Sequence, residues 1–157
     1  MPRVSKKTKP KTTPKAKEKK EKTAVAAVEQ PMEDRRSFSA RHVWVLPDEE
    51  NCVATVGITD YLAEDMDSIL SIDMPLPGDE LEIDTFCIHL HMHNHIHHLR
   101  SPLSGRVLEV NKEVMDNTSL LHLDPNKHWL YKMEYDDPDE LELLMSAQQY
   151  ARHLDQL

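Results

Sequence analysis

Apolar and histidine side chains alternate along residues 86–93, and this alternation constrains the fold more than any other feature of the chain. Ile88, Leu90 and Met92 occupy every second position, and histidines fill the positions between and after them. Successive side chains of a β-strand point to opposite faces, so the pattern predicts a strand with one face against a core and one polar face. Six of the ten histidines of the chain lie within ten residues: His89, His91, His93, His95, His97 and His98.

The alternation resumes after Asn94 with its phase changed, which predicts a β-hairpin. Asn tolerates positive φ, so a two-residue turn at Asn94-His95 is expected, and this turn places His91 directly opposite His98. A register change of one residue would turn the apolar side chains out and the histidines in. The histidine face of this hairpin holds further residues: His89, His93, Ile96 and Arg100.

The histidine face predicts a metal site. Imidazole is the commonest protein ligand for transition metals, and three of these rings could converge on one ion at bonds of about 2.0–2.1 Å. Nitrogen ligation suits Zn, Ni(II) or Cu(II). The expected ligands are His89, His91, His93 and His98, with His95 able to swing in from the turn. Two alternatives stay open: a solvated, pH-sensitive patch without metal, and a patch that docks another protein.

Charge divides the chain into two parts. The first 22 residues carry ten Lys or Arg and two Glu, whereas the whole chain has 19 basic and 28 acidic residues. A Lys-rich run with few apolar residues predicts disorder, so residues 1–36 are expected to form a disordered basic tail and linker, and residues 37–157 one domain. The tail favours a solubilising role over contact with nucleic acid or an acidic partner. No apolar run reaches the roughly 18 residues that a membrane helix needs.

The two cysteines, Cys52 and Cys87, indicate a reducing compartment. Two cysteines make no disulfide framework, so a cytoplasmic location is expected. Cys87 lies two residues before His89 and could serve as a soft metal ligand. A small buried side chain is the favoured interpretation of this cysteine.

The pattern along the chain predicts a mainly β domain with a C-terminal helix. Strands are expected near 42–46, 52–57, 69–73, 86–93, 96–100, 106–110 and 129–135. A helix is expected near 138–145, with Asp137 as N-cap, Pro138 at N1 and Glu140 completing a capping box. Two further helix starts are expected, at Thr59 or Asp60 and at Ser146 with Gln149.

Several strings of the chain, read together, resemble the glycine cleavage system H-protein family. They run from about Ser39 to Tyr150 and are HVWV, VATVGITDYLAEDMDSIL, MPLPG, SPLSGRVLEVN and DPDEL with LLMSAQQY. The resemblance implies a flattened β-barrel, a barrel-sandwich hybrid of the lipoyl-domain type, with additional helices. It also implies a hairpin with an exposed tip just before the P-x-S-G turn.

In that family the hairpin tip carries a lysine that is lipoylated, and its arm shuttles aminomethyl groups between enzymes. The resemblance places Asn94 at the lysine position, and no Lys occurs from Phe86 to Ser104. An asparagine amide is not nucleophilic, so no lipoate is expected. The resemblance therefore implies an inherited fold without its carrier chemistry, since function resides in sites grafted on folds.

Two classes of function follow from this comparison. The first is a non-lipoylated H-protein-like scaffold whose hairpin tip binds a divalent transition metal. The second is a degenerate H protein that docks onto glycine cleavage system proteins or the lipoate ligase; a carrier role would rest on family similarity alone. Catalysis by the chain itself is not expected, because a hairpin tip offers little pocket and no positioned base.

Overall fold

A computed structural model describes residues 35–157, and residues 1–34 of the expected disordered tail and linker lie outside these described residues. The strands are β1 (Ser37–Phe38), β2 (Val43–Asp48), β3 (Val53–Ile58), β4 (Ile69–Asp73), β5 (Glu80–Leu81), β6 (Phe86–Met92), β7 (Ile96–Arg100), β8 (Gly105–Val110) and β9 (Tyr131–Tyr135). The helices are α1 (Asp60–Asp65), α2 (Lys112–Asp116), α3 (Leu120–Leu123), a 3₁₀ helix (Pro138–Leu143) and α4 (Ala147–Asp155).

The strands form two antiparallel sheets. One sheet has six strands in the order β1-β2-β3-β9-β8-β5, and the other has three in the order β4-β6-β7. The mainly β class and the C-terminal helix are confirmed, but the two sheets do not close into a barrel. The edge strands of the larger sheet, β1 and β5, have only two residues each, and within residues 35–157 neither pairs with a strand of the smaller sheet.

Both sheets bury side chains in one common core. The inner face of β6 contributes Ile88 and Leu90, which are fully buried, and Met92. Leu99 of β7 and Tyr131 of β9 belong to the same cluster. Burial of the apolar half of the hairpin confirms the strand period that the alternation predicted.

The predicted strands agree closely with the observed ones, while the helix after Asp137 does not. Asp137 does cap this segment, but its side chain accepts from the Asp139 amide. The Glu140 carboxylate accepts instead from the amide and hydroxyl of Ser104, at 2.8 and 3.0 Å. The capping-box expectation was therefore wrong, because a tertiary contact captures Glu140, and the segment forms a 3₁₀ helix.

The other two helix starts are confirmed. The Thr59 side chain caps α1. Ser146 and Gln149 form a reciprocal capping box at α4, which is nine residues long and buries Tyr150. The pattern along the sequence missed the short elements β1, β5, α2 and α3. Within residues 35–157, no helix is long and apolar enough to pass through a membrane.

Candidate functional site

The histidine hairpin turns one residue earlier than expected. The amide of Met92 donates to the carbonyl of His95 at 2.8 Å, which encloses His93 and Asn94 as the turn. The pairing therefore shifts by two residues, and His98 lies opposite His89. The predicted opposition of His91 and His98 was wrong. The faces of the paired strand residues were predicted correctly, because a shift of two preserves the alternation. His93, which was predicted on the histidine face, lies instead in the turn.

A β-bulge at Cys87 shifts the strand pairing by one residue at the base of the hairpin. Phe86 pairs with Arg100 and Ile88 with Leu99, which leaves Cys87 as the extra residue. The Cys87 thiol turns inward, and its Sγ lies 3.7 Å from the Tyr131 hydroxyl. Burial raises the pKa of this thiol to about 11. The thiolate that a metal requires is therefore disfavoured at Cys87.

His89 and His98 form a close cross-strand pair. Their Nδ1 atoms are 2.6 Å apart, and their rings meet nearly at right angles with centroids 4.8 Å apart. At this separation one ring donates its Nδ1–H to the lone pair of the other. Two nitrogens bound to one ion at about 2.0–2.1 Å lie roughly 3 Å apart. A small outward movement of the two rings would therefore admit a metal between them.

His91 contacts a residue of the neighbouring strand. Its Nε2 lies 2.7 Å from Oδ2 of Asp73, at the end of β4. The Cα partner of Asp73 in the strand pairing is His89. Asp73, His89 and His98 thus occupy one row across three strands, with His91 one step further toward the tip. The sequence did not indicate Asp73, because the pairing of β4 with β6 is a long-range contact.

The remaining histidines lie at and below the turn. His93 and His95 are exposed, and the ring centroids of His95 and His97 are 6.4 Å apart. His97 is half-buried on the inner face, where burial, followed by the charges of His95 and His98, lowers its pKa. Among residues 35–157, three or more ligating side chains do not converge on one point. The predicted ligand set is thus divided into a pair, a carboxylate-bound histidine and two tip histidines.

Asn94 lies exposed in the turn. Lys112 and Lys132 belong to α2 and β9, so neither amine lies on the hairpin. A primary amine is therefore absent from the tip and from both strands that support it.

An apolar and cationic border flanks the histidine pair. Phe86 is 56% exposed, and its ring centroid lies 5.2 Å from that of His98. The Arg100 guanidinium lies over the Phe86 ring at 4.9 Å and pairs with Asp84 at 3.4 Å. Leu70, bulged out of β4, is also largely exposed on this sheet.

Comparison with known proteins gives consistent matches over the domain. The family model described as glycine cleavage H-protein matches residues 36–157. A glycine cleavage system H protein of Staphylococcus epidermidis is 39% identical over 116 residues, which cover 73% of this chain and 90% of the relative. One of Bifidobacterium longum is 38% identical over 120 residues, covering 76% and 85%. The crystal structure of an H protein from Mycobacterium marinum superposes with a TM-score of 0.67 at 23% identity, covering 79% of this chain and 98% of that one.

Proposed function

The chain belongs to the glycine cleavage H-protein family, and from this premise we propose that it is a member without lipoate whose histidine hairpin binds a divalent transition metal. The proposal keeps the family scaffold and replaces the chemistry of its tip. The observation that carries it is the pair of Nδ1 atoms of His89 and His98, 2.6 Å apart.

The turn supports the loss of the carrier role. Lipoate attaches through an amide that needs a primary amine, and Asn94 offers only a non-nucleophilic carboxamide. The turn displays Asn94 where the resemblance implies the modified lysine. No lysine occurs between Phe86 and Ser104 to take its place. The chain is accordingly proposed as a binding protein and not as a carrier or an enzyme.

The sheet supports metal binding by holding the two imidazoles in place. His89 and His98 project from paired strands whose inner faces are locked in the core by Leu90 and Leu99. Folding therefore already includes much of the entropic cost of bringing the two imidazoles together, and metal binding does not add it again. Nitrogen ligands favour Zn, Ni(II) or Cu(II), and the affinity is expected to be highest for copper. His91, His93 and His95 remain predicted additional ligands.

Calorimetric titration of untagged protein with Cu(II), Ni(II) and Zn(II) tests this function. The untagged form is needed because a histidine tag would itself bind these ions. The variant His89→Ala with His98→Ala is expected to raise the Kd at least about tenfold, since it removes both central ligands. The variant His122→Ala with His153→Ala removes the same number of imidazoles from outside the hairpin, so it serves as the matched control and should bind as tightly as the parent. Equal affinity of the parent and the His89/His98 variant would sink the proposal.

A second candidate is docking onto another protein of the glycine cleavage system. The names of the relatives associate them with that system. Exposed Phe86, Leu70 and Ile96 border the histidines, and exposed aromatic and aliphatic groups are typical of contact surfaces. Metal-free protein should then bind a purified component of the system, and Phe86→Ser should weaken binding. Absence of binding, or binding that Phe86→Ser leaves unchanged, would contradict this candidate. We expect its setting to be cytoplasmic.

A further inference from the structure

The pair formed by His89 and His98 supplies two nitrogen ligands, which is fewer than a transition metal in a protein takes. Zn(II) is typically held by four ligands in a tetrahedron. The two Nδ1 atoms lie 2.6 Å apart, so both can bind the same ion. Among the residues that the structure describes, no third ligating side chain converges with them. An ion held by this pair alone therefore keeps open coordination positions.

The other histidines of the hairpin are not placed to fill these positions in the observed arrangement. His91 is turned to the β4 side of β6, where its Nε2 lies 2.7 Å from Oδ2 of Asp73. His98 lies on the opposite side of β6, on β7. The turn that carries His93 begins beyond the row formed by His91 and Ile96. A protein ligand that completes the site therefore has to come from another molecule.

The pair lies on a sheet face that another molecule can reach. β7 is an edge strand of the smaller sheet, and His98 is exposed on it. Two exposed apolar side chains flank His98: Phe86, whose ring centroid lies 5.2 Å from that of His98, and Ile96, two residues earlier on β7. Apolar groups around a polar centre are typical of protein contact surfaces.

Charge favours this face for contact between two copies of the chain. Residues 35–157 contain 9 Lys or Arg and 23 Asp or Glu, so two copies repel each other over most of their surface. The histidine face carries both signs of charge, from Asp73 and from Arg100, which pairs with Asp84 at 3.4 Å. A divalent cation adds positive charge at the same place. Two acidic copies therefore approach each other here with less repulsion than elsewhere.

Building on the proposed metal function, we infer that a second copy of this chain completes the metal site. The Nδ1 atoms of His89 and His98 from each copy bind one ion on a two-fold axis, which provides four imidazole nitrogens. A two-fold dimer uses the same patch on both copies, so one pair per chain is sufficient. The ligand is a divalent cation that accepts four nitrogens in a tetrahedron, and Zn(II) fits this geometry best.

Sedimentation velocity of the untagged full-length protein, with and without Zn(II), tests this inference. The parent should be a monomer without the ion and should become a dimer at about one ion for two chains. EDTA should reverse the change. His89→Ala with His98→Ala should abolish the dimer. His122→Ala with His153→Ala removes two imidazoles from outside the hairpin and should dimerise like the parent.

A second pair of variants tests the contact surface while it keeps both ligands. Ile96→Ser should weaken the Zn(II)-dependent dimer at least about tenfold, because each dimer loses two apolar side chains from its interface. Leu123→Ser makes the same type of change at a leucine of α3 that is 78% exposed and should match the parent. Equal dimer affinities of these two variants would remove Ile96 from the interface and contradict the inferred contact face.

Three further results overturn the inference, and they separate it from the proposed function. A monomer that binds one ion per chain would mean that water or the tip histidines complete the site, and it would leave the metal function intact. A dimer that persists in EDTA or in the His89/His98 variant would mean that the contact does not depend on the site. A parent that binds no Zn(II), Cu(II) or Ni(II) would refute the metal function as well.

Discussion

The Nδ1 atom of His42 lies 2.8 Å from the Tyr150 hydroxyl and thereby joins the segment before β2 to α4. The same hydroxyl lies 2.9 Å from Oγ1 of Thr59, which caps α1. The Tyr150 ring stacks on Phe38 with centroids 4.8 Å apart. One buried tyrosine thus attaches the C-terminal helix to the larger sheet by both polar and apolar contacts.

Stability is expected to fall as the pH falls, because the pKa of His42 is lowered in the folded state. Burial is the main cause, followed by the charge of His153, while Asp65 opposes the shift. The unfolded chain takes up this proton near pH 6.5, before the folded chain does. The stability is thus fully present above pH 6.5 and is lost as the pH falls through the folded pKa. Urea unfolding at pH 7.5, 6.5 and 5.5 measures the slope of the free energy of unfolding against pH.

His42→Asn provides the control for this pH dependence. His42 has a φ of 69°, and Asn tolerates that left-handed backbone better than most residues. The variant removes the titrating ring and should reduce the slope of stability against pH. An unchanged slope would mean that other histidines cause the pH dependence.

Removal of the Tyr150 hydroxyl should destabilise the domain. Tyr150→Phe keeps the stacking on Phe38 but leaves the polar atoms of His42 and Thr59 without this partner. The expected loss in the free energy of unfolding is about 1–2 kcal/mol by urea denaturation at pH 7.5. Tyr61→Phe is the matched control, because the Tyr61 ring is partly exposed and its hydroxyl makes no hydrogen bond within residues 35–157. Equal effects of the two variants would contradict the role given to the Tyr150 hydroxyl.

Lipoylation should be absent from the parent and should be restored at the tip by one substitution. After incubation with lipoate, ATP and a lipoate ligase, intact mass is expected to show no adduct on the parent. Asn94→Lys should gain one lipoyl group, because the turn already exposes this position. Asn94→Gln is the control that lengthens the side chain without an amine. Any adduct on the parent would refute the proposed loss of the carrier role.

Adding His91→Glu to Asn94→Lys tests the family pattern further. The resemblance implies a glutamate three residues before the lysine, but in this structure that carboxylate would lie beside Asp73. Two neighbouring carboxylates repel each other. Asn94→Lys alone is therefore expected to fold at least as stably as the double variant, as thermal unfolding can measure.

The two faces of the smaller sheet should differ sharply in their tolerance of truncation. Leu90 is fully buried, whereas Leu70 on the neighbouring strand is 63% exposed. Leu90→Ala is expected to lower the free energy of unfolding by about 2–5 kcal/mol, because it leaves a cavity in the core. Leu70→Ala removes the same atoms from the surface and should change it by no more than about 0.5 kcal/mol. Similar losses for the two variants, by urea denaturation, would contradict the observed faces.

Local sequence was sufficient to predict which side chains of the hairpin point inward. Ile88, Leu90 and Leu99 are buried as their spacing indicated, because a strand exposes alternate residues to opposite environments. The capping box at Ser146 and Gln149 was equally predictable, since both partners lie within one helical turn. Interactions that span only a few residues are encoded in the order of those residues.

The tertiary structure alone decided which histidines meet. Hairpin registers that differ by two residues bury the same face, so periodicity cannot distinguish His91 opposite His98 from His89 opposite His98. The choice depends on the turn at His93 and Asn94 and on the bulge at the base of β6. The approach of Asp73 to His91 likewise requires β4 to pair with β6, a contact between segments that are distant in the sequence. The amino-acid order therefore determined the composition of the histidine face, and only packing between distant segments determined its geometry.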